Sequence, residues 1–119
     1  MADPETIADR YIEAWNERDE TRRRDLIGKL WAEDAAFRDP IAEGDGQAGM
    51  DAVIAGIQGR FPDYRFKRIG KADGFGDYLR LSWGLGPDSG DAPIKGTDFV
   101  RVENERLKSV TGFFDQLPG

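Results

Sequence analysis

The sequence predicts an α+β domain in which three N-terminal helices pack on a curved, mostly antiparallel sheet. Three observations lead there. Apolar residues recur at helical spacing in three segments before Pro62, and beyond it they alternate in short runs separated by glycine, proline and asparagine turn signals. At 119 residues the chain holds one hydrophobic core, so residues 1–119 are read as a single domain.

Asp3 followed by Pro4 reads as an N-cap and first helical residue, and Ile7, Tyr11, Ala14 and Trp15 then share one helical stripe. This first helix is expected to end between Asn16 and Asp19. Thr21 is the expected cap of a second helix with Leu26, Ile27, Leu30 and Trp31 along one side. A short strand follows within 31–40, with Ala35, Phe37 and Asp39 on one face and Ala36 and Arg38 on the other. After a polar, glycine-rich loop, Met50, Val53, Ile54, Ile57 and Phe61 define a third amphipathic helix that Pro62 closes. Four strands are then expected over 64–71, 78–85, 94–102 and 106–115. Gly74-Phe75-Gly76-Asp77, Gly86-Pro87-Asp88-Ser89-Gly90 and Glu103-Asn104-Glu105 supply the turns between them. Short connections between successive strands imply antiparallel pairing.

Composition narrows the function. A net charge of −6 and a pI near 4.7 argue against nucleic acid as a partner, because that binding rests on neutralising phosphates. The run Arg22-Arg23-Arg24 reads as a solvated helix face, with Glu20 and Asp25 nearby. No apolar run approaches the roughly 20 residues of a membrane span, and the N-terminus has no signal-peptide pattern, so a cytoplasmic protein without a membrane partner is expected. The chain has neither cysteine nor histidine. The general base of any enzyme built on it is therefore expected to be Asp or Glu, with Lys, Tyr or Arg in support. The usual nitrogen and sulfur ligands of zinc and haem are missing and no calcium-loop motif is present, so neither a metal nor a cofactor is expected.

Two carboxylates break the apolar pattern. Asp39 shares a strand face with Phe37, and Asp98 falls in phase with Ile94, Val100 and Val102. Buried carboxylates are costly unless paired or neutralised, and they concentrate where chemistry happens. Tyr11, in the stripe of the first helix, carries a hydroxyl that needs a buried partner. Gly44-Asp45-Gly46-Gln47-Ala48-Gly49 matches G-x-G-x-x-G, but the next strand carries alternating charge, and Glu43, Asp45 and Asp51 would repel a pyrophosphate. Those glycines are read as conformational, turning the loop into the third helix.

With these residues in place, the chain resembles the nuclear transport factor 2-like superfamily, which includes SnoaL-like polyketide cyclases and Δ5-3-ketosteroid isomerase. The likeness rests on Arg10-Tyr11-Ile12-Glu13-Ala14-Trp15-Asn16, on residues 31–40 ending in Asp39-Pro40, and on Gly96-Thr97-Asp98-Phe99-Val100-Arg101-Val102. It implies a cone-shaped α+β barrel. It also implies that Asp39 is the general base, and that Tyr11 and a protonated Asp98 form an oxyanion hole, as in the isomerase. Trp15, Trp31, Phe37, Ile54, Ile57, Phe61 and Trp83 would line a pocket for a hydrophobic small molecule, and the sheet would carry a homodimer contact. Arg38 stands where the isomerase usually has an acid, and strand alternation points it away from Asp39. Limonene epoxide hydrolase shares the fold; Asp115 could match one of its aspartates, but Arg80 is followed two places on by Ser82 and the Arg-x-Asp element is missing. Three functions stay open: a cofactor-independent isomerase or cyclase acting next to a carbonyl, a ligand-binding protein without turnover, and a protein-interaction module using Tyr64, Phe66 or Phe99 on the sheet.

Overall fold

In the computed structural model, which describes residues 3–118, Asp3 caps the first helix, α1 (Pro4–Asn16), by accepting a hydrogen bond from the Thr6 amide at 3.3 Å. The second helix, α2 (Glu20–Leu30), is capped two residues before the expected Thr21. Asp19 is its cap and accepts from the Arg22 amide at 3.0 Å, because a carboxylate here reaches the free amides of the first turn. Trp31 is not the end of α2 but the first residue of β1 (Trp31–Arg38).

The glycine-rich stretch is more ordered than a loop. Glu43–Asp45 forms a short strand, β2, antiparallel to the end of β1, and α3 (Gly46–Arg60) begins directly after it. Gly46 adopts φ +71°, and a side chain on Gly44 would lie 2.7 Å from the Gly49 carbonyl oxygen. These glycines permit a tight strand-to-helix turn, as the sequence implies.

Four long strands follow: β3 (Arg65–Phe75), β4 (Tyr78–Gly86), β5 (Ile94–Glu103) and β6 (Arg106–Gln116). Asn104 and Glu105, with φ of 51° and 64°, make the tight turn between β5 and β6. The sheet order is β2-β1-β6-β5-β4-β3, antiparallel except where β1 runs parallel to β6. It does not close into a barrel, since β2 and β3 remain as edges. The helices cover one face and complete the cone.

The core lies between that face and the helices, built from Ile7, Tyr11, Trp15, Ile27, Trp31, Phe37, Ile54, Leu81 and Val100, among others. Tyr11 packs against Trp31 with ring centroids 5.4 Å apart, and Trp15 against Phe66 at 5.1 Å.

The arginine run is only partly solvated. Arg23 is buried, and its Nε lies 2.6 Å from Asp51 Oδ1, tying α2 to α3. Gln58 accepts from the same guanidinium at 3.2 Å, and Arg24 reaches Asp51 from the surface at 3.2 Å. Burial opposes ionisation of Asp51, yet hydrogen bonds from Arg23 and Arg24 win and hold its carboxyl below the usual range. The helical period puts position 23 on the inner face, where charge survives because Asp51 meets it. Among the described residues no helix is long and apolar enough to cross a membrane.

Candidate functional site

The helices and the inner face of the sheet enclose a cavity of about 310 Å³. Its wall takes Tyr11, Ile12 and Trp15 from α1, Ile57 and Arg60 from α3, and Phe66, Trp83, Leu85, Ile94, Asp98 and Phe114 from the sheet. Phe37, Asp39, Pro40, Ile41, Phe61, Leu117 and Pro118 complete it.

Asp98 is 3% exposed and Tyr11 1% exposed, and the Tyr11 hydroxyl donates to Asp98 Oδ2 at 2.6 Å. Burial pushes the Asp98 carboxyl up to about 6; the Tyr11 hydroxyl and the nearby Trp83 indole pull the other way, and the charge of Asp39 adds to the rise. Burial, with the neighbouring Asp98 charge, drives the Tyr11 phenol well above its ordinary value. The pair therefore holds a proton readily but gives up a second one reluctantly.

Local sequence explains why Asp98 fits. It pairs across β5 and β6 with Gly112, and a side chain at Gly112 would sit 2.7 Å from Asp98 Oδ1 and 3.3 Å from Asp39 Cβ. Gly112 leaves the gap that Asp98 and Asp39 share. Gly96 does the same for the Trp83 ring.

Asp39 sits just past the end of β1 and is half-buried rather than buried. Its Oδ1 accepts from the amides of Ile41 at 2.9 Å and Ala42 at 2.7 Å, which makes an aspartate turn around Pro40. Its Oδ2 accepts no hydrogen bond among the described residues, and the side chain lines the cavity. Arg38 points away and pairs with Asp45 at 2.9 Å.

Tyr11, Asp39 and Asp98 thus border one cavity, with Trp15, Phe37, Ile57, Phe61 and Trp83 on the same wall. Trp31 and Ile54, expected there too, are completely buried in the core behind it: Trp31 opens β1 and packs on Tyr11, and Ile54 lies on the inner stripe of α3. Asp115 is exposed and accepts from Thr97 Oγ1 at 2.7 Å, while Arg80 pairs with Asp73 at 2.8 Å; both lie outside the cavity wall, so the epoxide-hydrolase arrangement is not assembled. Of the residues considered for a sheet interaction surface, Phe66 is buried on the cavity wall and Tyr64 stacks on Phe61 at 5.5 Å, leaving Phe99 exposed. Sequence patterning missed Ile12, Arg60, Phe66, Leu85, Ile94 and Phe114. The alternation in 94–102 and 64–71 places Ile94 and Phe66 on an inner face, but nothing in it separates cavity wall from solid core. Among the described residues no group of acidic side chains gathers as a metal site.

A SnoaL-like domain model matches residues 8–110 of the chain. The chain belongs to the SnoaL-like family. No curated protein gives a significant match. Among solved structures, this SnoaL-like chain is 44% identical to a candidate isomerase of the same family from Agrobacterium tumefaciens, with a TM-score of 0.88 over 92% of this chain and 95% of the other. A candidate ketosteroid isomerase from Kribbella flavida is 19% identical (TM-score 0.71; 95% and 78% covered), and a candidate polyketide cyclase from Sinorhizobium meliloti is 15% identical (TM-score 0.70; 90% and 93% covered). The last two share the fold. They agree with the helix-and-sheet arrangement expected from the sequence.

Proposed function

We propose that the cavity binds a hydrophobic cyclic ketone and moves a proton next to its carbonyl without a cofactor. The observation that carries this reading is the buried Tyr11–Asp98 hydrogen bond in the same cavity wall as the half-buried carboxylate of Asp39. Asp39 Oδ2 takes a proton from the carbon α to the carbonyl, and the electron pair moves onto the carbonyl oxygen to give an enolate or dienolate. Returning the proton at a different carbon completes an isomerisation. Oxyanion stabilisation falls to Tyr11 and Asp98. While Asp98 is ionised the tyrosine hydrogen is spent on it. Once Asp98 is protonated, its own O–H donates to the Tyr11 oxygen, and the phenol hydrogen is released to the substrate. The family likeness to candidate isomerases and cyclases supports the same chemistry.

The test is solvent deuterium exchange and double-bond migration on a panel of cyclic ketones, with wild type and Asp39→Asn compared. Loss of about 10²- to 10⁴-fold in the variant, with ligand-induced thermal stabilisation unchanged, is the expected result. Equal rates in the two proteins would remove Asp39 as base. The turn made by Asp39 Oδ1 favours a second reading, a binding protein without turnover in which Asp39 shapes the rim; it predicts stabilisation by ketones and no exchange in wild type. Under either reading the outer face of the sheet, where Phe99 and Phe113 meet edge to face at 5.8 Å and stand half exposed, is proposed as a homodimer contact whose measure is the mass in solution.

A further inference from the structure

Among the described residues, Arg60 is the one cationic side chain on the cavity wall. It ends α3, is exposed, and makes no ion pair among the described residues, in a chain where most cavity-distant arginines are paired with acids. An arginine at a helix C-terminus often serves the last carbonyls. Here that work falls to Arg18, whose guanidinium donates to the carbonyls of Gln58 and Phe61 at 3.5 Å and of Tyr64 at 2.9 Å. Arg60 Cζ lies over the Phe61 ring, 5.9 Å from its centroid, a cation–π contact that takes up none of its N–H groups.

Tyr11 and Trp15 of α1 form another part of the wall. The Trp15 indole Nε1 is buried without a hydrogen-bond partner among the described residues. The indole approaches the Tyr11 hydroxyl, whose ionisation it favours, so a carbonyl arriving at Tyr11 also meets Trp15. Between these two points the wall is apolar, with Ile57, Phe61, Phe66 and Leu85 among its residues.

We infer that the ligand is a cyclic keto acid: an apolar ring whose carbonyl enters toward Tyr11 and Trp15, and whose carboxylate stays at the rim on Arg60. This rests on the proposed ketone pocket and names its substrate class. The anion is held away from Asp98 because Arg60 lies on the exposed side, and the guanidinium gives a planar carboxylate two parallel hydrogen bonds. A neutral ketone of the same shape would forgo that contact.

The experiment uses two isosteric probes, 2-naphthoate and 2-naphthamide, at neutral pH. Binding is read from tryptophan fluorescence, since Trp15 and Trp83 face the cavity. Wild type is expected to prefer naphthoate by about tenfold, the size of one charge-assisted contact. In Arg60→Gln the preference disappears while naphthamide binds as before, and 0.5 M salt reduces it in wild type. A preference that is the same in both proteins, or absent in wild type with naphthamide still bound, overturns the assignment to Arg60 and leaves the ketone pocket standing. Failure of both probes to bind wild type overturns the pocket and this inference together, whereas Asp39→Asn kinetics test the proton transfer independently of either.

Discussion

Replacing Asp98 by Asn should change how stability depends on pH. In the folded protein the Asp98 carboxyl titrates at about 6, against 3.8 when unperturbed. At 1.36 kcal/mol per pH unit, ionising it in place costs about 3 kcal/mol more than ionising it in the unfolded chain. The sign follows from proton counting. Between about 4 and 6 the native state holds a proton that the unfolded state has released, so unfolding free energy falls as pH rises through this window and levels off above it. Asparagine can still accept from Tyr11 through its amide oxygen but cannot ionise. Any fixed cost of the amide shifts its curve without tilting it. Urea unfolding of wild type and Asp98→Asn at intervals from pH 4 to 8 gives the difference directly, and acids common to both proteins cancel. The gap should move by about 3 kcal/mol in favour of the variant as pH rises. A gap that stays constant across the range would refute the raised pKa. It would also remove the protonated Asp98 on which release of the Tyr11 hydrogen depends, and with it the expected fall in ketone turnover as pH rises through 6.

Two further substitutions probe the frame around the site. Arg23→Met should destabilise the fold by about 1–3 kcal/mol in urea, because Asp51 stays charged and buried with Arg24 as its remaining partner from the surface. The double variant with Asp51→Leu should recover most of that loss; no recovery would mean the cost lies in packing rather than in the stranded charge. Gly112→Ala drives a methyl group to 2.7 Å from Asp98 Oδ1 and should cost about 1–3 kcal/mol in thermal or urea melts. Gly56→Ala, inside α3 with nothing within 4 Å, serves as its control and should stabilise by up to about 1 kcal/mol.

Helical and strand periods were enough to read three helices and five of the six strands from the sequence, because each element buries one regular face. Glu43–Asp45 escaped notice: a three-residue edge strand of charged residues and glycine has no apolar face to announce it. Arg23 was misread for a related reason. Charge normally marks solvent, and its partner Asp51 lies 28 residues away on another helix. The phase of Asp98 in β5 was legible, since a carboxylate among Ile94, Val100 and Val102 must point inward. Asp39 was legible as a wall residue but not as a turn-former, because local hydrogen bonds at Ile41 and Ala42 compete with strand alternation once β1 ends at Arg38. Which inward residues face empty space and which face each other, as Phe66 differs from Trp31, depends on how α1 and α3 lie across the sheet, and no one-dimensional period encodes that.

The strand order has a consequence for how the molecule assembles. β6 lies between β1 and β5, parallel to one and antiparallel to the other, so among the described residues it is the strand that bridges the β2-β1 pair and the β5-β4-β3 meander. The register joins Phe37 to Val110 across most of the chain length. Closing so long a loop comes before its contacts can repay the entropy, so this pairing is expected to form after the local hairpins. During synthesis, Tyr11 and Asp39 emerge early and wait without a floor. The cavity comes into being only when the last strand docks, and a chain stalled before it exposes two unpaired strand edges that invite aggregation.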